Sequence, residues 1–120
     1  MYAGRLIEAM PPGYAYLADQ LRRAALSITL NTAEGAGEFA PGEKARFYRM
    51  AKRSATECAA VLDVVGELGF GEARAVDDGQ ERLFRIVSML VKLCKMLESK
   101  REASGTSRSG ATELPTNAAT

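Results

Sequence analysis

A chain of 120 residues is long enough for one domain with a single hydrophobic core. Hydrophobic residues make up 47% of it and charged residues 26%, as in ordinary globular proteins. The formal net charge is +1, so overall charge neither indicates nor excludes a nucleic-acid-binding protein. There is no histidine, and Cys58 and Cys94 lack the CxxC spacing of a zinc site. We therefore expect no metal site and no cofactor.

The hydrophobic residues are spread along the chain. No apolar run approaches the roughly 20 residues that a membrane-spanning helix needs. The first residues also lack the charged-then-apolar pattern of a signal peptide. These patterns predict a cytoplasmic protein without a membrane partner.

Apolar residues recur at helical spacing along most of the chain and predict four helices. The first is short, over residues 2–10, and Pro11, Pro12 and Gly13 end it. The second covers residues 14–34, and Gly35 is expected to end it in the left-handed conformation. The third covers residues 42–68, with Pro41 or Gly42 near its first turn. The fold class predicted is all-α, an antiparallel up-and-down four-helix bundle with a short first helix.

The last predicted helix covers residues 77–101. Asp77 and Gln80 have the spacing of a capping box, and Lys100 and Arg101 suit the negative end of the helix dipole. Residues 102–120 are rich in serine, threonine, glycine and alanine, and such a composition predicts a disordered tail. The helical bundle should therefore occupy residues 1–101.

Two of the predicted helices carry small polar side chains and a carboxylate within an apolar stripe. Ser27, Asn31 and Glu34 share one helix face at i, i+4 and i+7, and Ser54 and Glu57 are three residues apart on the next helix. We expect all five to form a hydrogen-bonded network that fixes the register of the two helices, with an arginine pairing any buried glutamate. Alternatively, Glu34 lies at an oligomer interface or a ligand surface.

The same polar residues do not predict an enzyme. A serine nucleophile needs an activating base, and neither a histidine nor a lysine is in register with Ser27. A di-iron bundle needs Glu-x-x-His motifs, which this sequence lacks. We expect a non-enzymatic protein.

The runs SITLNTAEG and FYRMAKRSATE resemble the bacterial four helix bundle protein family. This family includes proteins encoded in intervening sequences of 23S ribosomal RNA genes and the accessory variability proteins of diversity-generating retroelements. The resemblance implies a ring-like homo-oligomer, commonly a pentamer. For the retroelement relatives it also implies binding to a reverse transcriptase and to nucleic acid through basic surfaces. The matching positions are Gln20, Arg22, Arg23, Ala24, Ser27, Ile28, Asn31, Ala33, Glu34, Gly35, Phe47, Ala51, Ser54 and Glu57.

Basic residues cluster on the second and third predicted helices. Such a strip is usually a solvated helix face, and a phosphate-binding surface is the alternative. The candidate nucleic-acid-binding residues are Arg22, Arg23, Lys44, Arg46, Arg49, Lys52 and Arg53.

The longer helices also carry a second apolar edge, wider than one core stripe requires. These edges predict exposed apolar surface that another chain covers. The function predicted is an oligomeric adaptor that scaffolds a nucleic-acid-processing partner. Two alternatives stay open. One is direct RNA or DNA binding through the basic strip, and the other is a bundle completed by a helix from another protein. The residues that carry the edges are Leu26, Leu30, Ala33, Met50, Val61, Val64, Leu68, Phe84, Met89, Leu93 and Met96.

Overall fold

The computed structural model describes residues 13–108 of the chain, with side chains for residues 13–103. This part is all-α, with three helices and no strand. They are α1 (Ala15–Gly37), α2 (Pro41–Leu68) and α3 (Ala73–Arg108). The helix predicted over residues 2–10 lies outside the described residues, so three helices stand where a four-helix bundle is expected.

Helix α2 lies between the other two helices and packs against both. No Cα atom of α1 lies within 8 Å of a Cα atom of α3, so α2 provides the contact that joins them. The connections of residues 38–40 and 69–72 are short, which makes sequential helices antiparallel neighbours.

The core is formed by leucine, alanine, valine and cysteine side chains on the facing sides of the helices. One cluster joins all three helices around Leu21, Leu62 and Leu83. A second cluster joins only α2 and α3, where Ala45 and Ala51 pack against Leu90. Alanines on α2 let the helices approach closely, and Leu90 and Val65 are the largest fully buried side chains.

Helix α1 extends past Gly35, which the sequence analysis placed after its end. Gly35 is a buried helical residue, so its expected role in ending the helix is wrong. The chain leaves the helix at Glu38, whose backbone is extended. The Lys44 ammonium donates to the carbonyls of Gly35 and Ala36 at 2.8 and 3.2 Å, and so satisfies acceptors that the helix end leaves unpaired.

Helix α2 has nearly the predicted bounds, with Pro41 in its first turn. It ends at Gly69, whose φ of 75° is left-handed. The amide of Gly69 donates to the Gly66 carbonyl, and the amide of Phe70 donates to the Val65 carbonyl at 3.1 Å. This pattern satisfies the last carbonyls of the helix and turns the chain toward α3.

Helix α3 begins at Ala73, before the predicted start, and extends to Arg108, into the segment expected to be a disordered tail. The capping box expected at Asp77 and Gln80 is absent, because both residues lie inside the helix. Gln80 instead donates from Nε2 to the Ala59 carbonyl at 3.2 Å and to Asp63 Oδ1 at 2.7 Å, both on α2. Residues 109–120 of the predicted tail lie outside the described residues.

Candidate interaction surface

A small polar contact joins α1 and α2 at mid-length. The hydroxyls of Ser27 and Ser54 are 2.7 Å apart, with either one donating. Asn31 Nδ2 donates to both the Oγ and the carbonyl oxygen of Ser27, each at 3.0 Å. Ser54 is only 8% exposed. Since sliding one helix along the other would leave this buried hydroxyl without a partner, the contact favours one register.

The two glutamates expected in this network lie outside it. Glu34 and Glu57 are both exposed, and neither forms an ion pair with another described residue. The expected buried glutamate with an arginine partner is therefore wrong. Helix geometry gives the reason. Ser27 lies at the edge of the contact, and Glu34, seven residues later, is displaced by about 20° around the helix axis, away from α2. Three residues rotate Glu57 about 60° from Ser54.

Gly35 and Tyr48 make a second close contact between the same helices. A Cβ atom on Gly35 would lie 2.7 Å from Cε1 of the Tyr48 ring, closer than side chains tolerate. The ring therefore occupies the space that a side chain at position 35 would need. Sequence reasoning recognised the glycine but assigned it to the helix end, because both roles favour the same residue.

Most residues of the predicted basic strip already bind an acceptor within the chain. Asp19 pairs with Arg22 at 3.8 Å and with Arg23 at 3.2 Å. Arg46 pairs with Glu43 at 3.0 Å and lies 4.6 Å from the centre of the Phe47 ring. The Glu43 carboxylate raises the pKa of Arg46. These pairs leave less positive charge free than the sequence alone indicates.

The remaining basic residues have different surroundings. Lys44 binds the end of α1, as described above, and Lys52 is half-buried. Arg49 pairs with Glu98 of α3 at 3.9 Å, and Arg53 is exposed. Arg46, Arg49 and Arg53 are spaced i, i+3 and i+7, so these three share one outward face of α2.

All three helices expose large apolar side chains of the predicted second edges, although Val61 of those edges is buried, at 8% exposed. On α1, Leu30 is 55% exposed, and on α2, Met50 is 40% exposed. The Ser27–Ser54 and Gly35–Tyr48 contacts set an antiparallel register that brings Leu30 level with Met50. We use the name α1–α2 seam for the outward surface along this contact, formed by Leu26, Leu30, Glu34, Met50, Glu57 and Val64.

Helix α3 carries a separate outward surface. Met89 is 50% exposed and Met96 is 49% exposed. Three exposed cations on the same helix lie before, between and after these two methionines. Successive members of this set are four, three, four and four residues apart, a spacing that keeps all five on one face of a helix. We use the name α3 stripe for this set, which consists of Arg85, Met89, Lys92, Met96 and Lys100.

The two cysteines are free thiols in the core. Burial and, to a smaller extent, the nearby Glu57 carboxylate raise the pKa of the Cys58 thiol to about 11. Burial also raises the pKa of Cys94.

Among the described residues, no group of three His, Cys, Asp or Glu is placed to hold a metal ion. None of the described helices is long and apolar enough to cross a membrane.

The family model of the 23S rRNA-intervening sequence protein matches residues 8–92. The chain belongs to this family. The matched segment contains α1, α2 and the first part of α3, so both contacts that set the α1–α2 register lie within the family domain. Among curated proteins, none matches this chain.

Proposed function

We infer that this member of the 23S rRNA-intervening sequence protein family is a non-enzymatic adaptor that self-associates through exposed helix faces and scaffolds another macromolecule. The observation that carries the proposal is the α1–α2 seam, where Leu30 and Met50 lie level on two neighbouring helices and are exposed. Soluble monomers rarely expose such contiguous apolar surface, and an interaction site is its usual explanation.

The arrangement of the helices supports the same proposal. The Ser27–Ser54 and Gly35–Tyr48 contacts hold the two helices of the seam in one alignment. Helices that are already aligned need less reordering when the seam binds, which favours assembly. The partner class that the family resemblance favours is a nucleic-acid-processing enzyme such as a reverse transcriptase, and the assembly that it favours is a pentamer.

The test replaces the paired apolar residues of the seam. A Leu30→Gln and Met50→Gln double variant should dissociate to monomers with unchanged helix content, because both side chains are exposed in a single chain. Light scattering measures the mass, and circular dichroism measures the helix content. Phe84→Gln is the matched control, since Phe84 is an exposed apolar residue of α3 outside the seam and should leave the mass unchanged. Full assembly of the double variant would contradict the proposal.

The second candidate function is direct binding of RNA or DNA, favoured by the shared outward face of Arg46, Arg49 and Arg53. For duplex DNA, log affinity falls as log salt concentration rises, and each phosphate contact makes this fall steeper by about 0.9. Replacing all three arginines by alanine should therefore reduce the slope by up to about 3 if they bind phosphate. Arg74→Ala is the control because Arg74 is exposed outside this face. An unchanged slope in the triple variant would exclude this candidate.

A further inference from the structure

The α3 stripe and the α1–α2 seam are complementary surfaces on different helices. The stripe alternates methionines with cations, Lys92 lying between Met89 and Met96. The seam places the carboxylates of Glu34 and Glu57 beside its apolar residues. Arg46 donates to the Met50 sulfur at 3.7 Å, and its ion pair with Glu43 at 3.0 Å offsets its charge. The apolar side chains of both surfaces are between 40% and 56% exposed.

Arg85 of the stripe pairs with Glu81 at 3.1 Å, and the other charges on both surfaces are available to another chain. Within the described residues, Glu34, Glu57, Lys92 and Lys100 form no ion pair. Two α3 stripes facing each other would bring lysines against lysines, and like charges at an interface disfavour binding. A stripe that faces a seam instead brings lysines toward glutamates and methionines toward leucines.

We propose that the α3 stripe of one copy packs against the α1–α2 seam of the next copy. This inference rests on the self-association proposed above and assigns its two faces. Such a contact uses different surfaces on the two copies, so it is heterologous and repeats from copy to copy. A repeated heterologous contact closes into a ring when the rotation between copies fits and otherwise forms a filament. Every copy then has both its stripe and its seam covered.

Charge reversal on each surface tests the assignment in the full chain. Lys92→Glu and Glu57→Lys each place like charges across the contact, so each should weaken assembly at least about tenfold. The variant with both reversals restores opposite charges in every contact and should assemble like the wild type. Light scattering over a dilution series gives the dissociation concentration of each variant, and circular dichroism checks that each variant is folded.

Glu72→Lys and Arg74→Glu are the charge-matched controls. Both residues are exposed beside the start of α3, outside the stripe and the seam, so these variants should assemble like the wild type. An equimolar mixture of Lys92→Glu and Glu57→Lys chains should assemble better than either variant alone, because each contact between the negative stripe of one and the positive seam of the other restores opposite charges, although a five-membered ring keeps at least one like-charge contact.

The outcomes separate this inference from the proposed function. If the wild type assembles and Lys92→Glu assembles equally well, the α3 stripe is not part of the interface and the inference is overturned. If Glu57→Lys weakens assembly but the double reversal does not rescue it, the seam faces something other than the stripe, and the inference is again overturned. A wild type that is monomeric at every concentration would overturn both the inference and the proposed function.

Discussion

In the described part of the chain, the α1–α2 and α2–α3 contacts differ in the side chains that form them. Between α1 and α2, hydroxyl and amide groups meet at Ser27, Asn31 and Ser54, and a glycine accommodates a tyrosine ring. Between α2 and α3, the second core cluster consists of alanine, leucine, cysteine and tyrosine side chains, with Leu90 at its centre. Directional hydrogen bonds favour one register, whereas apolar burial supplies most of the free energy of folding. The polar contact thus favours one alignment of the seam helices, whereas the two apolar clusters, the first of which also includes α1, mainly stabilise the fold.

The largest expected effect lies in the α2–α3 contact. Leu90 is fully buried, so Leu90→Ala removes apolar contacts and leaves a cavity. The free energy of unfolding should fall by about 2–5 kcal/mol. Urea unfolding at one fixed protein concentration measures it. The control is Phe84→Ala on the same helix, where a largely exposed side chain outside the stripe and the seam should cost about 0.5 kcal/mol or less. Equal losses in both variants would contradict the assignment of Leu90 to the core.

The next effect lies in the α1–α2 contact. Gly35→Ala places a Cβ atom against the Tyr48 ring, whereas Gly37→Ala places one in open space. Alanine favours both helical positions over glycine by up to about 1 kcal/mol. Overpacking at position 35 costs about 1–3 kcal/mol, so the two variants should differ in unfolding free energy by that amount. Equal stabilities would show that the tyrosine ring moves aside freely.

A smaller effect tests whether the polar contact acts as one unit. Ser27→Ala leaves the buried Ser54 hydroxyl without its hydrogen-bond partner, and the loss should be about 1–3 kcal/mol. Ser27→Ala combined with Ser54→Ala removes both hydroxyls. The double variant should therefore be more stable than the sum of the single losses predicts, by about 0.5–3 kcal/mol. Urea unfolding of all four proteins gives this coupling energy, and strict additivity would contradict the contact.

The smallest effect is expected at the rim of the α2–α3 contact. Arg49 and Glu98 are 3.9 Å apart, and both side chains are about half exposed. Solvent-exposed pairs of this kind contribute about 0.2–1 kcal/mol and weaken in salt. A double-mutant cycle with Arg49→Ala and Glu98→Ala should give a coupling in that range at low ionic strength and almost none in 1 M salt. A large coupling that persists in salt would mean that this pair is buried.

The sequence predicts the three described helices because their apolar residues recur at helical spacing over long stretches. The bounds are less predictable. Asp77 and Gln80 fit a capping box, yet α3 begins earlier, since Val76 is buried and packs close to Gly66 of α2. The spacing of residue types along the sequence does not reveal tertiary contacts of this kind. The tail composition between residues 102 and 108 likewise does not prevent the helix from continuing to Arg108.

Sequence spacing also predicts only part of the polar network. Spacing alone correctly places Ser27 and Asn31 on one face, and the structure brings both together with Ser54. Spacing does not determine how far a residue rotates from the centre of a helix contact, so Glu34 and Glu57 lie outside the network. Spacing also does not show that local partners such as Asp19 and Glu43 form ion pairs with several arginines of the basic strip. The two aligned helices nevertheless expose Leu30 and Met50 along the seam.

Solution mass tests the central claim most directly. Light scattering of the full chain, at low and high salt and over a dilution series, measures whether the exposed helix faces bind another copy. The account predicts one closed oligomer at both salt concentrations, because apolar burial persists when salt screens the charges. A monomer at both salt concentrations would contradict it.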